Sequence, residues 1–247
     1  MAKKHVYITL DTETCGSLGK PLVYDMGYVI HDRYGNIYEK RSYVIREIFY
    51  GEREKMKSAY YADKLPFYKK GIKEGKWNIS SFWTIRRELY SLIKEYDIKA
   101  VMAYNAGFDI RALNNTLNYL TKFEKEQTFF NENVKIWDIW HMSCQTLLKQ
   151  KKFFKQAVSN NWESEAGNVK TSAEISFRYI QNLPNFEEEH TALSDAIIET
   201  KIFAKCIRTK KKMNREIIFM PWKIPQPDYR EYKEKIFKEW LDNVATA

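Results

Sequence analysis

The sequence predicts a single α/β domain: a mixed β-sheet flanked by helices, with an insertion after the third strand and a helical tail. Three observations predict it. The chain opens with three strand signals in a row and no helix between them. Beyond residue 81, short apolar strand runs alternate with longer segments of helical periodicity. The 247 residues, 44% of them hydrophobic and 15% aromatic, are enough for one sizeable core.

Val6, Tyr7, Ile8, Thr9 and Leu10 form an unbroken run of β-branched, aromatic and large apolar residues, which reads as a buried strand. Asp11, Thr12, Glu13 and Thr14 follow it. Side chains two apart on a strand share a face, so Asp11 and Glu13 converge while Thr12 points away. Two anions delivered to one buried point need a positive partner, and a hard divalent cation with oxygen ligands is the usual one.

Residues 16–21 read as a loop and 22–31 as a second strand. Asp32, Arg33, Tyr34, Gly35 and Asn36 mark a turn before a third strand over 37–45. Residues 46–81 lack clear periodicity and read as an insertion of short helical pieces beside the sheet. Phe82, Ile85, Leu89, Leu92 and Ile93 predict a helix over 81–96, capped by Ser80 or Ser81. The next strand is expected at 99–104.

Asn105, Ala106, Gly107, Phe108 and Asp109 turn into a helix with Ile110, Leu113, Leu117 and Leu120 on one face. A strand over 134–139 ends near Asp138, and a helix follows through Leu148. Residues 159–170 read as a loop, with Thr171 and Glu174 as a capping box for a helix to Ile180. Pro184 and Asn185 end that helix. A long one from Thr191 to about Ile207 carries Leu193, Ile197, Ile198, Ile202 and Phe203. In the tail, a short apolar run at 217–220 leads to Pro221, Pro225 and Pro227. Asp228 is then expected to cap a last helix whose Tyr229, Tyr232, Ile236 and Trp240 pack on their own domain.

Cys15, Cys144 and Cys206 are widely spaced and odd in number, which argues against a disulfide framework and for a cytoplasmic, reducing setting. His141 and Cys144 lack the second ligand pair that zinc needs and read as buried structural residues. No apolar run approaches the ~18 residues of a membrane span, and the short run after the basic start is no signal peptide. The formal charge of +9 points to a polyanionic partner. It is concentrated in three patches: Lys149, Lys151, Lys152 and Lys155 around Phe153 and Phe154; Arg208 to Arg215; and Lys55 to Lys76, interleaved with Tyr60, Tyr61, Phe67, Tyr68 and Trp77. Lysines there would track phosphates and the aromatics stack bases.

Asp109 and Asp195 each stand in the first turn of a helix, where a carboxylate is favoured. His190 precedes Asp195 by five residues and belongs in the loop before that helix, reaching towards the same cluster. With these residues in place the chain resembles the DEDDh exonucleases of the ribonuclease H-like superfamily. The resemblance rests on D-T-E-T at 11–14, N-A-G-F-D at 105–109 and H-T-A-L-S-D-A at 190–196, in that order, and covers roughly residues 5–207. It implies that Asp11, Glu13, Asp109 and Asp195 hold two Mg2+ or Mn2+ ions and that His190 is the general base. Thr14, Asn105 and Phe108 would then lie near the terminal nucleotide. The insertion at 46–81, the tail of 208–247 and Cys15 after the first motif depart from the minimal family domain and bear on substrate choice.

The expected activity is 3′→5′ exonuclease action at the 3′ end of single-stranded DNA, as in proofreading, releasing nucleoside 5′-monophosphates. An exoribonuclease would use the same residues, because 2′-hydroxyl contacts depend on pocket shape. A non-catalytic nucleic-acid-binding module would use the basic patches alone. A subunit docking on a DNA polymerase or other replication protein would use the tail helix.

Overall fold

The first three strands, β1 (Val6–Cys15), β2 (Leu22–Asp32) and β3 (Ile37–Ile45), form an antiparallel meander in a computed structural model that describes residues 5–121 and 127–245. On the free edge of β3 lies β4 (Asn78–Ser80), parallel to it. On the other side β5 (Val101–Ala103) pairs parallel to β1, and β6 (Ile136–Asp138) parallel to β5. The sheet therefore runs β4-β3-β2-β1-β5-β6 and is mixed, as expected. Every residue of β2 is buried, because the strand is central and covered on both faces.

Residues 46–81 contain α1 (Arg46–Phe49), α2 (Arg53–Lys57), a 3-10 turn at Ala62–Lys64 and α3 (Leu65–Lys73). The short helical pieces are thus present, and β4 is an addition: the last residues of the insertion extend the sheet. Next come α4 (Phe82–Glu95), capped by Ser81, whose Oγ accepts the Thr84 N–H, and α5 (Ala106–Thr121). Ile85, Leu89, Leu113 and Leu117 from these two helices share one core with Ile8, Leu10 and Met26.

The opposite face carries α6 (Ile139–Thr146), α7 (Lys151–Ser159), α8 (Ala173–Gln181) and α9 (Ala192–Arg208). A second core joins Tyr7 and Met102 of the sheet to Ile198, Ile202 and Phe203 of α9. The last helix, α10 (Gln226–Ala245), lays Tyr229 and Tyr232 against Phe154 of α7.

Several local expectations are corrected. Helix α7 arises from the lysine-rich patch at 149–155, and Phe153 and Phe154 are buried core residues rather than stacking platforms. Tyr68 and Trp77 in the insertion are buried too, whereas Tyr60 stays exposed. The cap of α8 is Ser172, whose Oγ accepts the Ile175 N–H; the Thr171 hydroxyl instead accepts the Trp140 indole N–H, and Glu174 pairs with Arg178. Because α10 already starts at Gln226, Asp228 lies inside its first turn. Its stripe packs only in part: Tyr229 is fully buried, while Trp240 is 57% exposed. Among the described residues no helix is long and apolar enough to cross a membrane.

The contact that sets the position of α9 is at Gly27 of β2, directly opposite Asp11 in the strand pairing. A Cβ at Gly27 would lie 2.1 Å from the Leu193 backbone nitrogen. Only glycine lets the first turn of α9 approach the sheet this closely. Gly27→Ala is expected to lower stability by about 1–3 kcal/mol, the usual range for overpacking. Urea unfolding measures it; an unchanged midpoint would contradict the contact.

Candidate active site

Strand alternation places Asp11 and Glu13 on the face of β1 covered by α9, and Thr12 on the face covered by α5. The close approach at Gly27 brings the first turn of α9, and with it Asp195, over the strand end. One carboxylate oxygen each from Asp11, Glu13 and Asp195 lies within 4.8 Å of the others. The α9 cap reinforces this placement: Thr191 and Ser194 form a reciprocal capping box, and the Ser194 hydroxyl reaches the Asp195 carboxylate at 3.0 Å. Asp109 arrives from the other face. The Thr12 hydroxyl, turned away from Asp11 and Glu13, donates to Asp109 at 2.8 Å. Asp109 is also the carboxylate whose charge acts most strongly on Asp11.

His190 sits in the loop before α9 with φ +51, a left-handed backbone that non-glycine residues adopt rarely. Its Nδ1 lies 3.9 Å from Asp195 and 3.8 Å from Glu188, so these three form a second ligand-type group continuous with the first. The imidazole stacks on Tyr61, with ring centroids 4.7 Å apart and planes 19° from parallel. Lys64 donates to the carbonyl oxygens of Glu189 and His190. Burial, and then the Lys64 charge, lower the proton affinity of His190 below its ordinary value, which keeps the ring neutral near pH 7.

Two further buried carboxylates were not anticipated from the sequence. Asp25 pairs across the strands with Glu13, accepts the Tyr68 hydroxyl at 2.6 Å and the Ala192 N–H at 3.1 Å, and leaves Oδ1 buried without a partner. Glu199, one helical turn below Asp195, accepts the Tyr104 N–H at 2.9 Å. A lone charge inside the apolar run of β2, and an acid four residues after Asp195 on one helix face, were the signals available for them. Tyr61, Lys64 and Glu188 carry no comparable local signal.

Burial and mutual repulsion push the whole group towards the protonated form. Burial first, then Asp195 and Asp25, raise Glu13 to about 9. Burial chiefly raises Asp25 to about 7, Asp109 to about 7, Asp195 to about 6 and Glu188 to about 8. Asp11 and Glu199 are driven well up by burial and then by the Asp109 charge. Such a set of hard oxygen donors, answered only in part by the charges of Lys64 and, at Glu188, Arg178, suits divalent ions of the Mg2+ or Mn2+ type. The orphaned Asp25 oxygen beside Glu13 fits the same reading, since a buried acceptor without a partner needs an ion or its water.

Of the remaining residues expected near the site, Thr14 is half-buried and Asn105 exposed, the latter with φ +65 and its N–H directed to Asp138 at 3.3 Å. Phe108 is half-buried, with the Arg111 guanidinium 5.6 Å above its ring. His141 and Cys144 are buried apart from this site, and His141 Nδ1 bonds the Glu216 carbonyl at 2.8 Å.

No family model matches the chain, and no curated protein matches it significantly. Solved structures do. A structure of E. coli exonuclease I in complex with a 5cy-dT13 oligonucleotide superposes with a TM-score of 0.52 at 13% identity, covering 84% of this chain and 41% of that one. A zinc-bound form of the E. coli exonuclease I–single-stranded DNA complex gives a TM-score of 0.50 at 13% identity, with 84% and 41% covered. The chain thus spans about two fifths of those proteins. At this identity the likeness shows the fold: an α/β, ribonuclease H-like arrangement.

The raised carboxylates make stability depend on pH in a definite sense. Each group binds its proton more tightly folded than unfolded, so its contribution is fully present below the ordinary carboxyl range and lost as pH rises through the folded values. With metal ions chelated, the melting temperature is expected to fall between about pH 5 and pH 9, and added Mn2+ to reverse the fall. A profile that rises over this interval under chelation would contradict the repulsion described.

Proposed function

We propose that the chain is a metal-dependent 3′→5′ exonuclease that hydrolyses single-stranded DNA from its 3′ end and releases nucleoside 5′-monophosphates. The observation that carries this reading is the meeting of Asp11, Glu13 and Asp195 oxygens at one point, with Asp109 beside them and His190 at the rim. The oligonucleotide complexes among the structural neighbours support the substrate class. In this reading residues 1–207 form the catalytic unit, including the insertion at 46–81, and 208–247 are an extension packed on it.

Asp11, Glu13, Asp109 and Asp195 would hold two Mg2+ or Mn2+ ions. Bound there, the ions would acidify the attacking water and neutralise charge on the leaving oxygen. The chain's own groups then do the following. His190, neutral near pH 7, takes the proton of the water, and Glu188 and Asp195 beside Nδ1 stabilise the imidazolium that forms. Tyr61 holds the imidazole plane, and Lys64 ties down the loop. Thr14, Asn105 and Phe108 meet the terminal nucleotide.

With a 5′-labelled single strand and Mn2+, a descending ladder of labelled products is expected, and no cutting of a circular strand. Asp11→Ala should abolish turnover and weaken Mn2+ binding together. His190→Ala should slow hydrolysis by roughly 10²- to 10⁴-fold, the range for loss of a general base, while Mn2+ binding stays near the parent value. Release of the 5′ label as mononucleotide would overturn the polarity. Full activity of Asp11→Ala would overturn the site.

A further inference from the structure

A groove of about 880 Å3 opens on the α5 side of the candidate site. Its near end is formed by Gly16 and Ser17, three and four residues beyond Glu13, and by Gly107, two residues before Asp109. From there it follows α5 as far as Tyr119, which at 1.5 Å per helical residue is about 18 Å. The groove therefore lies within a few residues of the carboxylates along both β1 and α5. Its length exceeds that of one nucleotide.

The lining has the chemistry of an anion site. Lys20 and Arg111 lie in it, and among the described residues neither has an ion-pair partner. Asn115 presents a side-chain nitrogen that is buried and donates to nothing. No carboxylate is among the lining residues. Lys55, also in the wall, is already paired with Glu52 and sits over the Tyr119 ring, so its charge is largely committed. Ile110 and Ile217 supply apolar surface between the cations. One buried donor without an acceptor and two cations without ion-pair partners, Arg111 also lying 5.6 Å over the Phe108 ring, together call for a ligand that alternates negative charge with flat, partly apolar groups, which is the chemistry of a single strand of nucleic acid.

The other side of the carboxylate cluster repels such a strand. Glu187, Glu188 and Glu189 stand next to His190, whereas no acid is among the described residues that line the groove. A strand whose last phosphodiester lies over Asp11 and Glu13 thus has one electrostatically favourable way out.

We propose that this groove holds the nucleotides immediately 5′ of the terminal one, with Lys20 and Arg111 on phosphates and the Asn115 amide on a base or phosphate oxygen. The assignment rests on the exonuclease reading. It makes the α5 face, rather than the lysine-rich start of α7 on the opposite layer, the surface that grips the upstream strand.

The test is the salt dependence of binding to a fluorescent twelve-nucleotide thymidine strand, with Ca2+ replacing Mg2+ so that the strand survives. Lys20→Ala with Arg111→Ala should reduce the slope of log K against log salt by about 1.4, since each single-strand phosphate contact contributes about 0.7. The charge-keeping pair Lys20→Arg with Arg111→Lys should retain the parent slope, which separates loss of charge from loss of fold. Lys151→Ala with Lys152→Ala, the same charge removed from α7, should also retain it. An unchanged slope in the first pair, or an equal drop in the α7 pair, overturns the groove. Hydrolysis of the p-nitrophenyl ester of thymidine 5′-monophosphate by the parent protein with Mn2+ is measured alongside. If that ester is cleaved and the slope is unmoved, the groove is wrong and the exonuclease reading stands. If the ester is untouched, the exonuclease reading itself falls, and the groove assignment with it.

Discussion

Asp11, Glu13, Asp25, Asp195 and Glu199 are packed between the end of β1 and the inner face of α9, and Asp109 presses on Asp11 from the side. Two unit charges 4 Å apart at an effective dielectric of about 20 repel by about 4 kcal/mol, so these acids cannot all ionise together without a cation. The surrounding structure answers that repulsion one acid at a time. The Thr12 hydroxyl serves Asp109, the Ala192 N–H and Tyr68 hydroxyl serve Asp25, the Tyr104 N–H serves Glu199, and the Ser194 hydroxyl serves Asp195. Asp11 and Glu13 have no such donors among these bonds. They are the two acids most exposed to the charge problem, and they stand where a divalent ion would meet the largest number of oxygens.

The same constraint explains why the insertion is part of the site. Tyr68 of α3 reaches Asp25, Tyr61 stacks on His190, and Lys64 holds the carbonyls of the His190 loop. Lys64 is also the cation that lowers the proton affinity of Glu13 and Asp195. A segment with little periodicity of its own is thereby fixed by contacts to a loop some 126 positions away. The left-handed backbone at His190 is affordable because its neighbours determine it from three sides.

What was legible in the sequence follows from how local each signal is. β2, β3, α4 and α9 are set by apolar periods and turn residues within a few positions, and they stand within one or two residues of where those patterns end, whereas β1 runs on five residues past its apolar run, to Cys15. The convergence of Asp11 and Glu13 follows from a two-residue period, and that of Asp195 from its place in a first turn. The contribution of Tyr61 and Lys64 was not legible, because stacking across the fold leaves no period in the chain. The lysines of α7 were read by their charge, although Phe153, Phe154 and Ala157 beneath them mark a buried helix face. In that patch burial decides the aromatic role, and interleaving with lysine does not reveal burial.

Charge is also sorted across the molecule in a way that composition alone hides. Against a net charge of +9, a set of buried acids is gathered at one strand end, and Lys20 and Arg111, without ion-pair partners among the described residues, lie in the groove beside it. A polyanion approaching the protein is therefore attracted overall and repelled at the point where it must react. In the proposed reading, such an arrangement would bind a strand along its length and leave its final phosphate in an environment that added cations make favourable. Affinity and chemistry are, on the same reading, carried by different residues: Lys20, Arg111 and Asn115 for the grip, and the carboxylates of β1, α9 and the first turn of α5 for the reacting end. The two sets are nonetheless in contact: Asp109 stands on α5 and accepts the Thr12 hydroxyl of β1, and the Arg111 guanidinium lies 5.6 Å over the Phe108 ring.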